Sequence, residues 1–118
     1  MAKKKTTEQS EYNETLIEIR SSLAQIDTAR RDKTLSDQER ELLELSAAAL
    51  REAELIEIQT IESKLLKQLE QSVNNLQLKS REIRARVTSM NKAPRAINAV
   101  ERALLIITQI VKAAARHL

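Results

Sequence analysis

The residues best able to do chemistry in this chain are cations. Lys79, Arg81, Arg84, Arg86, Lys92 and Arg95 crowd into one stretch, and Lys3–Lys5 add a second, shorter cluster near the start. Guanidinium and ammonium groups at such density suit anions, nucleic-acid phosphates above all. Proteins that hold single strands also stack bases on aromatic rings, and the only aromatic residue here is Tyr12. The stretch also fails as a zipper-type basic region, because only a short helix follows before Pro94. A helix-turn-helix reading lacks short helices and a turn glycine. Nucleic-acid binding through 79–95 is therefore the alternative expectation, behind a face that is solvated or pairs with acidic residues.

Other chemistries find less support. With no glycine there is no phosphate-cradling loop and no nucleophile elbow, and with no cysteine there is no thiolate site and no disulfide. The 17 carboxylates include no Glu-x-x-His repeat of the di-iron bundle type. The single histidine, His117, is one residue from the end of the sequence and reads as a solvated helix terminus. Tyr12 reads as a packing residue. The expectation is a non-enzymatic protein with no cofactor and no metal.

The elements that position these groups follow from composition. Of 118 residues, 42% are apolar and 31% charged, with Ala, Leu, Glu, Lys, Arg and Gln dominant and only one proline. Those are helix formers, and the residues that hairpins and strands favour are scarce. The fold class is all-α. Residues 1–7 read as a mobile basic tail without a secretory core, followed by one all-helical domain over 8–118. The longest apolar run, Ala103–Val111, is far short of the roughly 20 residues needed to span a membrane. A cytoplasmic protein is expected, with membrane-surface action through helix 94–117 a weaker option.

Three helices are expected, at about 8–31, 36–90 and 94–117. The first has a capping signal at Thr6-x-x-Gln9 and a narrow stripe, Leu16, Ile19, Leu23 and Ile26. The second starts at the capping box Ser36-x-x-Glu39 and carries a broad face around Leu42, Leu43, Leu45, Ala47, Ala49, Leu50, Ala53 and Ile56. Its apolar row continues through Ile58, Ile61, Leu65, Leu69, Val73, Leu76, Ser80, Ile83, Val87 and Met90, with a run of consecutive fours from Ile61 to Val73 that departs from a heptad. Nothing stops it before Asn91 and Pro94, although a break near Asn74–Asn75 is the rival reading. In the last helix Ile97, Val100, Leu104, Ile107, Val111, Ala114 and Leu118 alternate threes and fours.

A central helix of this length would measure roughly 80 Å and outrun both flanking helices. Its broad faces need a cover, and charge suggests one. Residues 36–73 carry nine acidic and four basic residues, a net of −5; residues 74–95 carry six basic and one acidic, a net of +5. Antiparallel pairing of two copies would lay acid over base, giving a helical bundle or coiled-coil-like dimer. Its seam is expected at Ile58, Ile61, Leu65, Leu69, Ile83 and Val87, with Leu104, Ile107 and Val111. The functional expectation is a protein–protein interaction module, an adaptor, scaffold or regulator that self-associates.

Overall fold

The computed structural model describes the backbone of residues 2–62 and 66–116 and the side chains of 14–60 and 68–116. It is an all-helical bundle of four helices: α1 (Ala2–Arg30), α2 (Asp37–Glu62), α3 (Leu66–Ser89) and α4 (Ile97–Ala115). The single helix expected over 36–90 is thus two. The chain reverses between Glu62 and Leu66, so that α3 packs back along α2 and Arg86 reaches Glu41. The molecule's longest dimension is 52 Å, too short for the expected rod.

The physical reason is a balance that local sequence does not display. Breaking a helix forfeits a turn of backbone hydrogen bonds, each worth about 1 kcal/mol net. Folding it back buries Leu42, Leu43, Leu50 and Ile56 of α2 and Leu69, Leu76 and Ile83 of α3, all nearly or wholly inaccessible. At about 2 kcal/mol per large apolar side chain, burial wins. The rival break point is also displaced: Asn74 and Asn75 are exposed positions inside α3. The reversal falls within the run of consecutive fours, where the apolar row drifts out of phase. Residues 63–65 themselves lie outside the described residues.

The four helices are not arranged as an even square. α2 packs against all three others, α4 does the same, and α1 and α3 do not meet among the described residues. Small side chains permit the direct α2–α4 approach: Ala47, Ala49 and Ala53 on one helix and Ala99, Ala103 and Ala114 on the other are all buried. The result is a flattened bundle, 27 by 15 Å in cross-section. It also explains the widths of the apolar faces. A helix with three neighbours needs the broad face that α2 carries, and a helix with two needs only the narrow row Leu16, Ile19, Ser22 and Ile26 of α1.

Helix ends match the local signals unevenly. The capping box at the start of α2 is formed in both directions: the Ser36 N–H donates to Glu39 Oε1 at 3.0 Å, and the Glu39 N–H donates to Ser36 Oγ at 3.1 Å. Pro94 does not open α4. It is buried in the connection, its carbonyl accepts from the Ile97 N–H at 3.1 Å, and α4 begins at Ile97 without a side-chain cap. α1 starts at Ala2, ahead of the Thr6 signal and through part of the expected tail. The side chains of that tail, of Tyr12 and of the Thr6–Gln9 signal lie outside the described residues, as do the side chains of Ile61 and Leu65 and all of His117 and Leu118.

On α4 the buried set is Ala99, Val100, Ala103, Ile106, Ile107, Ile110 and Ala114. The core-facing stripe is therefore turned toward the alanine-rich side of the expected row. Leu104 and Val111, expected at its centre, are only partly covered.

Candidate interaction surface

The hairpin divides the basic stretch between two seams. On the α2 side the cations are committed. Arg86 Nη1 donates to Glu41 Oε2 at 2.9 Å and Nη2 to Glu82 Oε1 at 3.2 Å, and these two carboxylates, Glu41 first, hold its pKa above the ordinary value. The Arg95 N–H donates to Glu39 Oε2 at 2.6 Å, and its guanidinium donates to the Thr34 hydroxyl. Thr34 is itself held by Asp32, whose Oδ1 accepts from the Thr34 hydroxyl at 2.6 Å and from its N–H at 2.9 Å. Both carboxyls sit below their usual range. For Glu39 the largest cause is the Arg95 N–H, followed by that of Ser36; for Asp32 it is the Thr34 hydroxyl, followed by the Thr34 N–H. This cluster ties the α1–α2 loop, the start of α2 and the α3–α4 connection together.

The acid-over-base pairing expected between two copies is thus supplied inside one chain. Antiparallel α2 and α3 lay Glu39 and Glu41 beside Arg95 and Arg86. The sign of the complementarity holds, and the covering partner is the chain's own hairpin.

On the α4 side the arrangement differs. Gln77, Ser80, Arg81 and Arg84 of α3 face Ile107, Thr108, Val111 and Lys112 of α4 across an open groove of about 200 Å³. Among the described residues no acidic side chain lines it. Arg84 donates to the neutral Thr108 Oγ1 at 3.2 Å, and the Thr108 hydroxyl donates to the Leu104 carbonyl at 2.8 Å. Arg81 and Lys112 are exposed and have no ion pair or hydrogen bond among the described residues. The groove floor is aliphatic, with Ile107 fully buried and Val111 half-buried. Beyond each bank stands an exposed leucine: Leu78, three residues before Arg81, and Leu105, three residues before Thr108, each 60% accessible. A step of three keeps such residues on one side of a helix.

The expected sites therefore scatter. Leu69, Ile83 and Ile107 fill the chain's own core, and Val87, Leu104 and Val111 pack partly against it. Ile58 is half-buried on α2. Of the expected phosphate-contacting residues, Arg81 and Arg84 share the groove, while Arg86 and Arg95 are spent on internal bonds. Lys79 is half-buried, and Lys92 is exposed in the α3–α4 connection, beside a separate cleft of about 410 Å³ with Met90 and Pro94. Thr108, Lys112, Leu78 and Leu105 were not among the residues expected from the sequence. A signal for Lys112 existed in its being one of only three charged residues in α4, ten positions beyond the adjacent Glu101 and Arg102.

Among the described residues no group of three or more His, Cys, Asp or Glu is placed to hold a metal ion. No described helix is long and apolar enough to cross a membrane. No family model, curated protein or solved structure matches this chain.

Proposed function

We propose that this chain is a non-enzymatic protein–protein interaction module that presents the α3–α4 groove to its partner. One observation carries the reading. Arg81, Arg84 and Lys112 line an open groove with no acidic side chain among its described lining residues, while Arg86 in the same stretch is paired with Glu41 and Glu82 within the chain. Unpaired cations around an aliphatic floor supply both attraction and water-excluding contact. Helical grooves of this kind receive partner helices in many recognition systems.

Self-association belongs to this reading in altered form. The seam residues Leu69, Ile83 and Ile107 are filled by the chain itself, so a second copy would meet the outer surface. The mass from light scattering across a concentration series tests it: growth that Leu105→Glu abolishes supports a dimer on this face, and a constant single-chain mass removes it.

The interaction reading is tested by affinity purification from the native host with the wild type and with a folded Arg81→Glu/Arg84→Glu/Lys112→Glu variant. Partners that co-purify stoichiometrically with the wild type should vanish with the variant. An identical set of partners from both would sink the proposal. Nucleic-acid binding is the second reading, favoured only by the exposure of Arg81, Arg84 and Lys92. Filter binding without salt-sensitive retention of DNA or RNA removes it.

A further inference from the structure

The chemistry of the α3–α4 groove narrows its partner further. We infer that it takes an acidic amphipathic helix, with carboxylates reaching Arg81, Arg84 and Lys112 and aliphatic side chains lying on Val111, Leu78 and Leu105. The inference rests on the interaction reading above and specifies its partner.

Charge complementarity is the first argument. The cations come from both banks, Arg81 and Arg84 from α3 and Lys112 from α4, so an occupant between them is attracted to each side. Arg84 is bonded only to a hydroxyl, which a carboxylate replaces at a gain, since charge-assisted hydrogen bonds are roughly twice as strong as neutral ones. Arg81 has no bond to give up among the described residues. These side chains are exposed, so each ion pair contributes modestly and directs orientation more than it sets affinity.

Affinity must then come from apolar contact, and the groove offers it. Its floor is Val111 over the fully buried Ile107, and each bank carries a leucine with more than half of its surface in water. Covering such a leucine strengthens binding in proportion to the apolar area taken from water. A helix lying along the groove reaches floor and banks together, with axis separations of about 8–10 Å from α3 and α4. The occupant required is one whose carboxylates flank an aliphatic stripe.

The same features argue against a nucleic-acid strand. From Gln77 to Arg84 the basic bank spans only about 10 Å of helix. Tight phosphate binding engages several phosphates over a longer track. Among the described side chains, the α3 surface beyond it is exposed at Glu70, Gln71 and Asn74, none of them a cation. An aliphatic floor also gives a sugar–phosphate backbone nothing to displace water against, and no aromatic side chain lines the groove for bases to stack on.

The test is a fluorescence-anisotropy titration with three labelled probes. One is a helical peptide of about 18 residues, long enough to hold its helix, with a Leu stripe flanked by Glu at i, i+4 spacing. The second is its twin with every Glu replaced by Gln, and the third is an oligothymidylate of similar length. The acidic peptide should bind saturably, and its Gln twin at least about tenfold more weakly. Arg81→Gln/Lys112→Gln should weaken the acidic peptide by about tenfold and Leu105→Ala by roughly fivefold. Lys92→Gln, outside the groove, should leave binding unchanged. Circular dichroism melts confirm that each variant is folded. Failure of the acidic peptide to bind overturns the inference. So does equal binding of the Gln twin, or indifference to the Arg81/Lys112 change. Tighter binding of the oligothymidylate, in competition with the peptide, overturns it in favour of nucleic acid. If the peptide fails while the triple charge reversal still strips partners from the purified protein, the groove is an interaction site of different chemistry. If the reversal strips nothing, the interaction reading itself has failed.

Discussion

The two seams of α3 use the same residue types to opposite ends. Toward α2, the Arg86 guanidinium meets the Glu41 and Glu82 carboxylates, while Arg95 gives its backbone N–H to Glu39 and its guanidinium to the Thr34 hydroxyl. Toward α4, Arg81 and Lys112 meet no carboxylate among the described residues, and Arg84 meets a hydroxyl. Helix phase creates the difference. Arg86 lies four residues from Glu82 on the side that packs against acidic α2, whereas Arg81 and Arg84 face a helix whose apolar side is rich in alanine and isoleucine. A basic run read along the sequence looks uniform; wrapped on a helix, it serves a closed seam on one side and an open groove on the other. The closed seam contributes to holding the fold, and the open one leaves its cations facing solvent.

Substitutions separate the two. The largest effect should come from Ile107→Glu, which puts an unpaired charge at a fully buried position under the groove. A cost of several kcal/mol, near the whole stability of a small domain, should abolish the cooperative thermal transition. Next, Ile83→Ala at the closed seam should cost about 2–5 kcal/mol in denaturant unfolding, while Val111→Ala at the half-buried groove should cost about 1 kcal/mol or less. Equal losses would mean that the groove is as tightly packed as the α2–α3 seam. Ser36→Ala removes one arm of the capping box and should cost about 1 kcal/mol.

Acid provides a subtler probe of the closed seam. Glu39 and Asp32 have pKa values below their unfolded values, so their hydrogen bonds contribute stability that is fully present above the ordinary carboxylate range. That contribution is lost as pH falls through the lowered folded values. Urea midpoints should therefore decline below about pH 4, and the Glu39→Gln variant should show a shallower decline. Identical profiles for the two proteins would detach Glu39 from acid sensitivity. The smallest effect separates the seams most cleanly: Arg81→Gln/Lys112→Gln should leave the melting midpoint unchanged, while Arg86→Gln lowers it slightly. A destabilised groove variant would show that these cations hold the fold after all.

Much of the architecture was legible in particular residues. The α2 capping box is formed, the narrow stripe of α1 contains the buried Leu16, Ile19 and Ile26, and the breadth of the α2 face matches its three neighbours. Helix class and approximate ends follow from short-range properties: rotamer freedom, side-chain competition for backbone groups, and period. The groove was only half legible, because Arg81 and Arg84 stood out as charges while their separation from Arg86 depends on which helix lies on each side.

The sequence by itself determined an all-helical chain, the apolar faces of α1 and of the start of α2, and a complementary acidic and basic pair of segments. It did not determine where the long helical run turns back. Between Glu62 and Leu66 no proline or glycine marks the stop, because the cause is not local: the burial gained when α3 closes on α2 outweighs the hydrogen bonds lost at the turn. Only the tertiary structure decided that acid and base would meet within one chain, and that the cations left over would line a groove of α3 and α4. Contacts between residues distant in sequence have energies that depend on the chain already being folded, and no window of sequence contains them.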